Sequence, residues 1–127
     1  MKETKKSRSY LYGKLLATVE DIEKSTIHDD TYQPCTIQFL GHFIQHPLTA
    51  ANNFILQTKR NSYYQLSPAA TEFYEKMIGE IIVELDNFPA NEINAPLDGS
   101  YLLGFYAQKD KINIDKENNK EIFAKER

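Results

Sequence analysis

The residues best suited to chemistry are few. His42 and His46 stand four apart on a predicted helix, so both imidazoles can reach one metal ion. A third ligand would have to come from His28, Asp29 or Asp30, and Pro47 tilts the His46 side chain. The favoured reading is two ordinary surface or half-buried histidines and no metal. Cys35 is the only cysteine, which rules out an internal disulfide and a cysteine-based zinc cage. A thiol nucleophile also needs an adjacent base and an oxyanion donor, and neither is marked in the sequence. Asp29-Asp30 suggests magnesium, but with 5 glycines in the chain no phosphate-cradling loop accompanies it. No catalytic residue and no cofactor is expected.

Basic residues are the better candidates. Lys5, Lys6, Arg8 and Lys14 belong to a stretch, residues 2–14, where five basic residues face only Glu3, a net of +4. Lys59 and Arg60 close a predicted helix, where the helix dipole alone explains them. With Tyr63 and Tyr64 beside them, they can instead combine phosphate contact with stacking on a single strand. Lys109 and Lys111 complete the candidate nucleic-acid-binding set. The rest of the chain is acidic: residues 72–92 carry six acids against Lys76, and the total is -3 with pI near 5.6. That balance argues against a free-standing tight nucleic-acid binder, because counterion release needs many cations on one surface.

These side chains must be positioned by helices. Leu11, Leu15, Val19 and Ile22, with Leu16, form one stripe at 3.6-residue spacing, predicting a helix from Ser9 to about Lys24 with Ser7 or Ser9 as cap. Pro34 suits a helix start. Ile37, Leu40, Phe43 and Ile44 continue as a second stripe until Pro47 forces a kink or break near His46. Leu48, Ala51, Phe54 and Ile55 carry helical spacing on to about Lys59. Ser67-Pro68 is a hydroxyl cap followed by proline at the first helical position. Behind it Phe73, Met77, Ile78, Ile81, Ile82 and Leu85 line a helix of about 18 residues. Residues 91–96 read as a linker, and Asp98 caps a shorter last helix holding Leu102, Leu103, Phe105 and Tyr106. Past Lys109 the charges alternate, predicting a tail ordered only on a partner.

The expected fold is therefore all-α, a single bundle of four to five helices over residues 1–127. Residues 1–8 and 111–127 are expected to be flexible tails. Hydrophobic residues at 41% suffice for one core. No apolar run is long enough for a membrane span and no signal peptide opens the chain, so a cytoplasmic protein without membrane partners is expected.

Several segments, in order, resemble a known family. Ser9-Tyr10-Leu11-Tyr12-Gly13-Lys14-Leu15-Leu16-Ala17 with Val19-Glu20 resembles the Tyr-Leu-x-Gly-Arg/Lys-Leu helix in the C-terminal region of the type I-C CRISPR Cascade large subunit. That region is also made separately as a small subunit. Thr26-Ile27-His28-Asp29 resembles the loop that follows, and Leu40 to Leu48 the next helix. Phe88-Pro89 and Leu102-Leu103-Gly104-Phe105-Tyr106-Ala107-Gln108-Lys109 resemble the closing Leu-Gly-Tyr-Tyr-x-Gln-Arg element. A Met just before the first helix fits the separately made subunit.

The resemblance implies a non-catalytic subunit of a crRNA-guided surveillance complex. It would pack on backbone and large subunits and on other copies of itself, and help hold the non-target strand of the crRNA-target DNA R-loop. Guide pairing would read the sequence, and this chain would supply backbone electrostatics and shape. Lys14 and Lys109 match the family's basic positions. Pro47 departs from the pattern, which continues a helix there. A free-standing helical adaptor between proteins, without nucleic-acid contact, is the alternative function, and a metal or thiol enzyme the third.

Overall fold

A computed structural model of the chain describes residues 7–26, 39–61 and 66–119, and among them it consists of helices and turns without a strand. The helices are α1 (Arg8–Thr26), α2 (Leu40–Gln45), α3 (Pro47–Asn61), α4 (Pro68–Leu85) and α5 (Ser100–Asn118). The all-α bundle expected from periodicity is what forms. The helix start at Pro34 lies outside the described residues.

Helix α1 is the hub, contacted by α3, α4 and α5. Its start follows from Ser7, whose Oγ accepts a hydrogen bond from the Tyr10 N-H at 3.1 Å, satisfying a first-turn donor. The stripe of Leu11, Leu15, Leu16, Val19 and Ile22 is buried as the spacing predicts. So, however, are Tyr12, Ala17, Thr18, Glu20 and Glu23, so the helix is enclosed on most of its circumference rather than on one face. Leu11, Ile22 and Phe43 are essentially inaccessible, and burying each contributes about 2 kcal/mol. Phe43 anchors α2 by meeting Tyr12 edge-on at 6.1 Å and stacking on Phe54 of α3 at 5.9 Å.

The proline signal at position 47 resolves as a bend. The His46 N-H still donates to the His42 carbonyl at 2.8 Å and the Ala50 N-H to the His46 carbonyl at 3.0 Å, so the helical bonding passes through the joint although His46 itself is not helical. Ser67 caps α4 as expected, accepting from the Ala70 N-H at 3.1 Å with Pro68 at the first position. Along α4 the buried face is Ala70, Tyr74, Met77, Ile78, Ile81 and Leu85. Ile82, expected on that face, is 46% exposed, and Tyr74 serves in its place.

The segment read as a linker between α4 and α5 is a junction for three helices. Tyr12 donates to the Ile93 carbonyl at 2.8 Å, and the Leu97 N-H donates to the Ile44 carbonyl at 2.8 Å. Asn94 Oδ1 accepts from the Leu48 and Thr49 N-H groups at 2.9 and 3.3 Å. Asn94 thus caps α3 from a distant part of the chain.

The last helix is longer than the charge pattern suggests and runs to Asn118. The reason is tertiary: Ile112 is buried, and Lys116 pairs with Asp21 of α1 at 2.6 Å. Those contacts outweigh the polar composition of the final turns.

Candidate nucleic-acid interface

Helices α1 and α5 lie side by side and run in the same direction. Contacts advance together along both: Ser7 with Ser100 at 3.2 Å, Thr18 with Gln108 at 3.1 Å, Asp21 with Lys116. Their close approach is made by Gly13 and Gly104. A methyl group on Gly13 would collide with the Tyr101 carbonyl oxygen, and one on Gly104 with that of Tyr10. Both glycines belong to the segments that carry the family resemblance, as does Gln108. The two ends of the sequence are therefore joined by the residues that looked like motifs.

Asp98 secures the start of α5, its Oδ1 accepting from the Ser100 N-H at 2.9 Å and from the Ser100 hydroxyl. Those hydrogen bonds, with a smaller contribution from Arg8, hold its carboxyl below the usual range. The N-cap is Gly99, without a side-chain cap, so Asp98, expected as the cap, instead braces the helix start from one residue ahead of it, and its own N-H donates to Ser9 Oγ at 3.0 Å. Because α1 and α5 are parallel, their positive N-terminal ends meet here, where the Asp98 carboxylate is favourable.

The basic residues singled out in the sequence differ in how far the structure describes them and in what they touch. Lys5 and Lys6 lie outside the described residues, as do Tyr63 and Tyr64, Cys35, His28 and Asp29-Asp30. Lys59 and Arg60 fall in the last turns of α3. Arg8 is turned to the fold: its guanidinium donates to the Ala95 and Pro96 carbonyls at 2.8 and 3.0 Å and lies over the Tyr12 ring. Lys14 is half-buried on α1. Lys109 sits 3.6 Å from Glu20 and over the Phe105 ring. Glu20 is buried and also held by Lys24 at 3.0 Å, so the two lysines compensate a carboxylate that burial would otherwise penalise. Lys111 pairs with Asp115 at 2.9 Å one turn away, an exposed pair of small energetic weight.

Sequence reasoning missed the apolar outer surface of α5. Leu103 is 68% exposed, and Leu102, Tyr106 and Ile114 are also exposed, while Gly104, Gln108 and Ile112 of the same helix are buried. The signal was the run of apolar residues on both sides of the helix between positions 101 and 107, which marks a helix with more than one contact face. No group of three metal-binding side chains occurs among the described residues, and none of their helices is long and apolar enough to cross a membrane.

No curated protein matches this chain in sequence. The family model for CRISPR-associated proteins of the Csd1 type (Cas_Csd1) matches residues 1–113, nearly the whole described bundle, and the chain belongs to that family.

Proposed function

We propose that the chain is a non-catalytic small subunit of a crRNA-guided surveillance complex, bridging backbone and large subunits, packing on other copies of itself, and holding the displaced non-target strand. The observation that carries this reading is the family match over residues 1–113, supported by the apolar outer face of α5, which suits contact with protein. Strand holding would fall to Lys14, Lys59, Arg60 and Lys111, with Lys5 and Lys6 ahead of α1. Arg8 contributes less because its guanidinium is held by the Ala95 and Pro96 carbonyls, and Lys109 because it sits against the buried Glu20. The exposed pair of Lys111 with Asp115 is weak enough to be exchanged for a phosphate. Each phosphate contact made by such residues adds to the salt dependence of binding.

The test is assembly of the complex with and without this chain, followed by R-loop lifetime on a matched target. Expected is co-purification with backbone and large subunits and a shorter R-loop lifetime when the chain is omitted. Normal R-loop formation without it would refute the proposal. Charge reversal of Lys14, Lys59, Arg60 and Lys111 should lower strand retention and flatten the salt slope with the fold intact. The acidic total charge of -3 favours a second reading, an adaptor between proteins alone, and that reading predicts an unchanged slope.

A further inference from the structure

We propose that His42 and His46 form a two-ligand site for a divalent transition-metal ion of the zinc class, set across the bend between α2 and α3. The two ring centres are 5.5 Å apart with planes tilted by 50°. With a zinc-nitrogen distance of about 2.0–2.1 Å and a ring centre roughly 1.1 Å beyond the nitrogen, two imidazoles on one tetrahedral ion have centres about 5.2 Å apart. The observed separation is therefore close to that of a chelating pair. Rotation of two exposed side chains can then bring one nitrogen of each to the same ion.

The surroundings favour this use. Both histidines are exposed, so an ion can reach both rings from solvent. Their backbones are fixed relative to each other by the His46 N-H to His42 carbonyl bond of 2.8 Å. Phe43 between them is fully buried, and Asn94 pins the first turn of α3 beyond them. The backbone of the pair is therefore ordered before an ion binds, and only the side-chain rotamers remain to be fixed.

Pro47 was expected to turn His46 away from His42. Instead His46 adopts φ -137° and ψ 68°, and its ring centre stays 5.5 Å from that of His42. One ligand thus belongs to α2 and the other is the pivot residue, so a bound ion ties the bend. Imidazole ligands select zinc, copper and nickel over magnesium and calcium. With two protein ligands the remaining positions hold water in the isolated chain, and the ion exchanges readily.

Calorimetric titration of the tag-free full chain with zinc chloride tests the proposal, with His42→Ala and His46→Ala variants alongside. Expected is saturable binding of one zinc ion per chain, weakened at least about tenfold in either variant, with copper binding more tightly and magnesium not at all. Zinc should also raise the melting temperature of the parent chain and not of the double variant. Both positions are exposed, and circular dichroism of the variants verifies that they fold. Absence of saturable binding, or binding that survives both substitutions, would overturn the site.

Discussion

Gly13 of α1 and Gly104 of α5 each face a backbone carbonyl of the opposite helix, that of Tyr101 for the first and that of Tyr10 for the second. The two helices can approach this closely only because neither position carries a Cβ. The approach in turn brings Gln108 within hydrogen-bonding reach of Thr18 and Lys116 within reach of Asp21. The glycines set the spacing, and the polar contacts further along the parallel pair depend on it.

Substituting either glycine by alanine should therefore destabilise the bundle. The obstacle is backbone rather than a movable side chain, so the cost is expected at about 3 kcal/mol or more, the upper end for overpacking. Gly79 gives the opposite sign: it is exposed inside α4 with open space around it, and Gly79→Ala should stabilise by about 0.5–1 kcal/mol. Denaturant unfolding of the three variants checks both directions in one experiment.

Gln108 is the polar residue buried where α1, α4 and α5 meet. Its Nε2 donates to Thr18 Oγ1 at 3.1 Å and contacts Met77 Sδ at 3.7 Å, while its Oε1 is buried without a hydrogen bond among the described residues. Thr18 already donates to the Lys14 carbonyl at 2.9 Å, so removing the amide strands no donor. Gln108→Met should be tolerated within about 1 kcal/mol. Gln108→Glu puts a carboxylate against a hydroxyl and a thioether and should cost about 2 kcal/mol or more at neutral pH, with stability recovering as acid protonates it. A pH series of melting curves for the pair separates shape from charge.

Tyr12 makes the bundle sensitive to alkali. Burial pushes its hydroxyl up to about 12, partly offset by the Arg8 cation. A raised folded value means the neutral ring is the form the fold favours. Its contribution is complete below about pH 10, where the unfolded ring is also neutral, and is lost as pH rises through the folded value. Tyr12→Phe should remove this component of the alkaline decline. It should also cost about 1 kcal/mol at neutral pH, because the Ile93 carbonyl loses its donor. Unfolding followed between neutral pH and strong alkali provides the comparison.

Local signals read well from the sequence because their physics is local. Ser67-Pro68 starts α4 by a cap and a preset backbone angle that involve no distant residue. The position of the bend at Pro47 was local in the same sense, because proline has no N-H to give, whereas the Asn94 acceptor that meets the next two N-H groups comes from a distant part of the chain. What depended on tertiary contact was hidden. The α1 stripe was visible, yet nothing in its spacing showed that Thr18, Glu20 and Glu23 would also be enclosed. The end of α5 was placed too early because Ile112 and Lys116 act only once α1 is alongside. For the candidate interface, charge alone could not show that Arg8 ties down the segment before α5. The glycine motifs were legible as resemblance, and their reason became clear only from the helix contact.

Asn94 offers a test of the junction that Pro47 makes necessary. The joint residue His46 is not itself helical, and Pro47 brings no N-H of its own. The next two N-H groups of α3, those of Leu48 and Thr49, are met by Asn94 Oδ1 from beyond α4, with Asn94 Nδ2 close to the Thr49 hydroxyl at 3.3 Å. Asn94→Ala should cost about 1 kcal/mol, the ordinary value of a lost cap. Asn94→Asp keeps the acceptor, adds a charge suited to a helix N-terminus, and should retain most of the stability. Amide exchange at Leu48 and Thr49 is the decisive measurement: both should exchange faster in the alanine variant and stay protected in the aspartate variant. Equal protection in both would mean that the α2 bonding through His46 holds the first turn of α3 unaided.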